Sequence, residues 1–118
     1  MKILCVAEAA TLAHVARTVC IACALRARPE FANIQIELAF DQRFESYAPE
    51  WFPYYHLESI PVSDFVEKVN SSRFPYTAAR LRKYVRDDLD LIEKTNPDLI
   101  IADFRISLAI SATKKRVP

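Results

Sequence analysis

The 118-residue chain contains no glycine. Average usage of about 7% would put roughly eight in a chain of this length. A phosphate-cradling loop needs glycine so that the backbone can turn tightly and come close to the phosphate. Neither a G-x-G-x-x-G turn nor a Walker loop can exist here, which argues against a self-contained nucleotide-binding domain. An excess of one charge is also lacking. The 16 basic and 15 acidic residues leave a formal net charge of +1, so no general electrostatic pull toward nucleic acid or an anionic membrane is expected. No apolar run approaches the roughly 20 residues of a membrane span. The N-terminus enters a strand pattern directly, without the basic segment and apolar core of a signal peptide, and the expected compartment is the cytoplasm. Cys5, Cys20 and Cys23 are the 3 cysteines, an odd number that argues against a disulfide framework. They read as reduced, mostly buried small hydrophobes. Cys20 and Cys23 match C-x-x-C, but near the middle of a helical pattern, and one pair supplies only part of a structural zinc site. No metal or cofactor is expected.

A composition of 52% hydrophobic and 26% charged residues is that of a globular chain, one domain or part of one. Lys2 to Ala7 reads as a buried strand, short and apolar before a polar loop. From His14 to Arg28 the pattern is helical and Pro29 ends it. Its apolar residues spread over more than one face, which predicts a helix pressed deeply against a sheet. Ile34 to Phe40 alternates as a second strand. A short helix near Gln42 to Tyr47, an aromatic loop through Trp51 and Pro53, and a third strand near Tyr55 to Ile60 follow. Val62 to Asn70 reads as a brief helix with Ser63 as a possible cap, and Tyr76 to Thr95 as a longer one stopped by Asn96 and Pro97. Asp98 to Asp103 is a fourth, continuously apolar strand, and Ile106 to Lys115 is helical again. Alternating strands and helices imply an α/β, Rossmann-like parallel sheet in the order 3-2-1-4 with helices on both faces. In that order strands one and four are neighbours where the chain reverses across the sheet, and ligands bind outside the carboxyl ends of the strands at that point.

The segment EAATLAHVAR, Glu8 to Arg17, occupies the first strand-to-helix loop, and it carries His14 where many nucleotide-binding folds carry a Gly-rich turn. Asp103 is the last residue of the fourth strand. The expected topology brings both to one crevice. A carboxylate that accepts a hydrogen bond from one imidazole nitrogen fixes the tautomer and leaves the other nitrogen to accept a proton, which makes a general base for a hydroxyl. The plainer alternatives are a polar residue at a helix start and an aspartate that only caps the next helix.

Two stretches carry a family resemblance. TLAHVARTVCIACALRAR, Thr11 to Arg28, resembles the first loop and helix of the GT-B glycosyltransferases, notably the nucleotide-sugar-dependent enzymes that glycosylate natural products. PDLIIADFRISLAISATKKRVP, Pro97 to Pro118, is similar to that family's strand and helix ending in valine and proline. Together they frame nearly the whole chain. Ala13 stands where the family usually has glycine, and Lys115 and Arg116 where a small residue is usual. The resemblance implies that residues 1–118 are the N-terminal, acceptor-side domain of an inverting glycosyltransferase, ending before a fifth strand and before the donor-binding domain. By the same resemblance His14 is the base that deprotonates the acceptor hydroxyl and Asp103 orients it, while Arg17 and Phe104 are neighbours. The expected partners are an acceptor small molecule or glycolipid, with the nucleotide-sugar donor reached only through the missing domain. No turnover is expected from the chain alone.

Trp51, Phe52 and Tyr54, with Tyr55, are packing aromatics or, on fold analogy, part of an acceptor region with Phe104. His56, inside a predicted strand, is structural. Arg80, Arg82, Lys83 and Arg86 are followed at once by Asp87, Asp88 and Asp90, so nucleic-acid binding is not expected there. An open parallel edge beside the fourth strand predicts a homo-oligomer. The rival from another class is a non-catalytic flavodoxin-like or degenerate interaction domain.

Overall fold

The computed structural model describes residues 1–118. Strands β1 (Lys2–Ala7), β2 (Gln35–Phe40), β3 (Tyr54–His56) and β4 (Leu99–Asp103) form one parallel sheet in the order β3-β2-β1-β4. Helices α1 (Leu12–Arg26), α2 (Val62–Asn70), α3 (Ala78–Thr95) and α4 (Leu108–Lys115) surround it, with single 3-10 segments at Pro29–Phe31 and Gln42–Tyr47. This is the α/β, Rossmann-like arrangement that the alternation of patterns predicts.

The continuous apolar strands are explained by cover on both sides. Ile3, Cys5 and Ala7 of β1 join Ile36, Leu38 and Phe40 of β2 under Val15 and Ala22 of α1. Leu4, Val6 and Ala39 point the other way, onto Leu91 and Ile92 of α3 and Leu108 of α4. Helix α1 is less deeply set than its composition predicts. Only Val15, Thr18 and Ala22 are buried, while Leu12 and Ile21 are exposed. The cysteines divide in the same way: Cys5 is buried, and burial pushes its thiol up to about 11, but Cys20 is exposed and Cys23 half-buried.

The third strand is shorter than the predicted Tyr55 to Ile60. It starts at Tyr54 and ends at His56 because the following backbone is claimed by side chains. The Ser59 amide donates to Asp41 Oδ2 at 2.9 Å and the Ile60 amide to Glu8 Oε1 at 2.8 Å. At α2 no side chain caps the first turn; Ser63 lies inside the helix and Pro61 precedes it. Helix α3 starts later than Tyr76, at Ala78, because Thr77 Oγ1 accepts from the Arg80 amide at 3.1 Å and sets the cap there.

A chain without glycine must find other residues for left-handed backbone. Ser72, Asn96, Phe104 and Arg116 take φ values of 54°, 45°, 61° and 56°. Asn96 and Arg116 each end a helix, the usual place for this conformation. Phe104 is different, since a bulky residue there is strained.

Beneath the carboxyl ends of the strands lies a buried ionic cluster. Arg105 Nη1 donates to Glu8 Oε2 at 2.8 Å and to the Glu58 carbonyl at 2.6 Å, and its Nε donates to Asp88 Oδ1 at 3.0 Å. The side chains of Arg105 and Asp88 are fully buried and that of Glu8 nearly so. The guanidinium also lies 4.1 Å from the centroid of the Tyr84 ring. Burial first, against the pull of Arg105, holds Glu8 and Asp88 above their ordinary carboxylate values. A carboxyl raised in the folded state contributes stability that is complete below its unfolded value and is lost as pH rises through the folded value. Arg105→Met removes the main opposing pull and raises both groups further. The expected loss is about 3–5 kcal/mol at neutral pH, as for other buried pairs that lose one partner. The deficit should narrow as urea denaturation is repeated toward about pH 4, where carboxyls take up protons. A deficit that is constant with pH would show that the two carboxyls are not what Arg105 compensates.

Candidate active site

The loop from Glu8 to Thr11 must turn the chain from β1 into α1 without glycine. It does so with the backbone groups of its first two residues engaged inside the protein. The Glu8 amide donates to the Asp103 carbonyl at 2.9 Å, and the Ala9 amide to Ser59 Oγ at 2.9 Å. The Ala9 carbonyl accepts from Arg43 Nη2 at 3.3 Å. Amides held this way are not presented to a phosphate, so the loop is a fixed platform for the helix that follows. His14 and Arg17 lie in the first two turns of α1, three residues apart and therefore on one face.

Asp103 ends β4, which pairs with β1 so that Ala7 is its register partner. The expected meeting therefore occurs: His14 Nδ1 lies 3.1 Å from Asp103 Oδ1. Phe104, next in sequence, stacks on the His14 ring with centroids 5.0 Å apart and planes 12° from parallel. The left-handed φ of Phe104 turns the chain just after Asp103. Phe65 and Tyr76 meet Phe104 at 5.9 and 6.4 Å, so aromatic rings lead from His14 toward α2 and the start of α3. Helix α2 buries no residue, and Val62, Val66 and Val69 on it are exposed, as is Phe74.

Arg17 makes the geometry more than a histidine–carboxylate pair. Its Nε donates to Asp103 Oδ2 at 2.6 Å and its Nη2 to Oδ1 at 3.0 Å, a two-pronged hold on the carboxylate. The same Nη2 lies 2.8 Å from His14 Nδ1. Arg17, foremost, and His14 hold the Asp103 carboxyl below its ordinary value despite partial burial. The carboxylate is thus ionised and shared by two neighbours. A histidine beside it with an unprotonated nitrogen toward solvent can accept a proton from a hydroxyl.

The other aromatics lie elsewhere. Trp51 is exposed on its loop, Phe52 is in the core, and the Arg26 guanidinium lies 5.9 Å from the Phe52 ring. Arg26 ends α1, about 18 Å along the axis from His14 at ~1.5 Å per residue. Tyr54 donates its hydroxyl to the Phe40 carbonyl at 2.9 Å. These three are not brought to the crevice, whereas Phe104 is. His56 is structural, with Nδ1 accepting from the Gln42 amide at 3.0 Å. A cavity of about 530 Å³ lies between β3 and α3, but its Lys83 is paired with Glu58 and Asp87 at 2.8 and 2.7 Å. No three His, Cys, Asp or Glu side chains converge as a metal site, and no helix is long and apolar enough to cross a membrane.

Sequence reasoning placed His14 and Asp103 but not the support beneath them. Glu8 and Arg105 were given no role; the available signal was a lone charge in the mostly apolar run Phe104 to Ile110. The strain at Phe104 was invisible, since φ cannot be read from residue type. It has a test: at this φ glycine escapes a cost of about 1–2 kcal/mol that alanine bears. Phe104→Gly should be more stable to urea than Phe104→Ala by about 1 kcal/mol, although both lose the stack. The reverse order would remove strain from the account.

No protein-family model matches the chain. It is similar to curated mycobacterial proteins along 99% of its length. It is 36% identical to a PGL/p-HBAD biosynthesis rhamnosyltransferase of Mycobacterium bovis, of which it covers 25%. It is 33% identical to a PGL/p-HBAD biosynthesis glycosyltransferase of Mycobacterium tuberculosis, covering 27%. It is also 33% identical to a protein of Mycobacterium bovis named an inactive PGL/p-HBAD biosynthesis glycosyltransferase, covering 31%. The chain therefore spans between a quarter and a third of these relatives, which are named as glycosyltransferases.

Proposed function

We propose that this chain is the acceptor-side, N-terminal domain of a GT-B glycosyltransferase that moves a sugar from a nucleotide-sugar to an acceptor hydroxyl with inversion. The observation that carries the reading is the approach of His14 Nδ1 to Asp103 Oδ1 at 3.1 Å, from elements 89 residues apart in sequence. His14 takes the hydroxyl proton at Nε2 while Asp103 holds Nδ1–H. The freed oxygen attacks the anomeric carbon, and the nucleoside diphosphate leaves with the bonding electrons. The sugar nucleotide is held by a donor-binding domain outside these residues, in keeping with the absence of glycine and with the engaged amides of Glu8 and Ala9. Phe104, Phe65 and Tyr76 give the acceptor an apolar path to His14, which suits a small apolar molecule or a glycolipid whose hydroxyl reaches the imidazole. The names of two of the mycobacterial relatives agree with sugar transfer in biosynthesis, and the third is named an inactive glycosyltransferase.

The test uses a polypeptide that carries this chain together with a donor domain. His14→Ala should lower kcat about 10²- to 10⁴-fold, the usual contribution of a general base, with KM for the acceptor changed little. Asp103→Asn should lower kcat in the same direction. Retention of full kcat by His14→Ala would end the assignment. The 118-residue chain alone should bind acceptor and transfer no sugar; transfer by the purified chain would show that no donor domain is needed.

A second reading, a domain that binds a partner without catalysis, is favoured by one contact, the Arg17 Nη2 lying 2.8 Å from the histidine nitrogen that should face Asp103. Self-association along the outer edge of β4 belongs to the proposal as well, because that edge has a parallel neighbour on one side only. Sedimentation should give a mass that rises with concentration; a constant monomer mass would remove it.

A further inference from the structure

The contact between Arg17 and His14 fixes more than position. An imidazole Nδ1 offers one site in the ring plane, either a lone pair or an N–H. A guanidinium has donors and no acceptor. The approach of Arg17 Nη2 to Nδ1 at 2.8 Å is therefore a hydrogen bond only when Nδ1 is the acceptor, with the proton of the neutral ring on Nε2. The second N–H of Nη2 goes to Asp103 Oδ1 at 3.0 Å, and Nε–H goes to Oδ2 at 2.6 Å. In this arrangement Nε2 carries a hydrogen and cannot take another from a hydroxyl without first losing it. With the guanidinium withdrawn, Asp103 Oδ1, already 3.1 Å away, becomes the only partner for Nδ1 and holds it as N–H. Nε2 is then a lone pair. The two states exclude each other, and Arg17 decides between them.

We propose that Arg17 is a latch on the tautomer of His14, released when an oxyanion entering the crevice takes the guanidinium away from Asp103. The inference rests on the reading of His14 as a base, and it adds a positioning residue and the class of ligand that controls it. The latch can open because Arg17 is 57% exposed and an incoming oxyanion offers its guanidinium the same two-pronged pairing that Asp103 does. His14 and Asp103, at 14% and 20% exposed, stay where they are. The ligand is an oxyanion because a guanidinium fork matches the paired oxygens of a carboxylate or phosphoryl group. Arg17 itself is its receptor, being the exposed guanidinium at the crevice; the Glu8 and Ala9 amides are engaged within the protein and add nothing to it. Release requires one proton to leave Nε2 to solvent and one to be taken up from solvent at Nδ1, with no net change in charge.

The test reads the tautomer directly, through two- and three-bond ¹H–¹⁵N correlations of the imidazole rings in the ¹⁵N-labelled 118-residue chain. It is done at a pH at which the ring ¹⁵N shifts themselves show both imidazoles to be neutral. His56, whose Nδ1 accepts from the Gln42 amide, is an internal standard for the Nε2–H form. In the wild type His14 should show the His56 pattern. In Arg17→Met, or in Arg17→Ala should the methionine variant fold poorly, the pattern should invert to Nδ1–H. Inorganic diphosphate, titrated at constant ionic strength with chloride as the control, should move wild-type His14 toward the inverted pattern and leave the variant unchanged. The same tautomer in wild type and variant would overturn the latch. A wild-type pattern indifferent to diphosphate would overturn release by an oxyanion. Sugar transfer is not measured, so a failure here is distinct from a failure of the glycosyltransferase reading.

Discussion

Everything at the carboxyl edge of the sheet depends on the position of Arg105. One guanidinium, buried with Glu8 and Asp88, joins the loop after β1, the loop after β3, helix α3 and the turn after β4. Three of those four segments frame the crevice. The cluster carries two carboxylates and one cation, so it holds together only while the guanidinium is present and oriented. Asp103 lies two residues before Arg105, and the Glu8 amide is bonded to its carbonyl. The meeting of His14 with Asp103 thus rests on charges that touch neither imidazole nor solvent.

The absence of glycine gives the site its character. Where a nucleotide-binding fold would leave backbone amides open, Glu8 and Ala9 have theirs bonded to Asp103 and Ser59, and Ala9 and Ala10 are fully buried. The polar groups that meet Asp103 at the crevice are side chains instead, His14 and Arg17 on the first turns of α1. One of the four left-handed positions, just after Asp103, holds the bulky Phe104. Its ring stacks on His14, so the strain of the backbone is offset by a contact that glycine could not make.

Much of this was legible in the residues. The apolar runs of β1 and β4 and the alternation in β2 gave the layers, and from the layers came the strand order that brings His14 to Asp103. That meeting followed from topology, because residues at the carboxyl ends of adjacent strands must be close whatever their separation in sequence. What was not legible depended on who bonds to whom. Tyr55 to Ile60 looks like a strand, yet Asp41 and Glu8 take the amides that would have paired. Phe52 and Trp51 are adjacent and equally aromatic, but one is core and the other exposed, because the loop turns between them. The partner of Arg17 could not be chosen from sequence when Asp103 and His14 were both within its reach.

The two edges of the sheet are unlike. At one side β3 has three residues, follows Pro53, and carries Lys94 5.0 Å over the Tyr55 ring. Such an edge is too short and too encumbered to template another strand. At the other side β4 is longer, and the Ile100 amide already donates to the Pro118 carbonyl at 2.8 Å. The β3 margin is consequently the finished side of the sheet, and the β4 margin, where Ile100 already reaches Pro118, is the side that its geometry leaves able to pair.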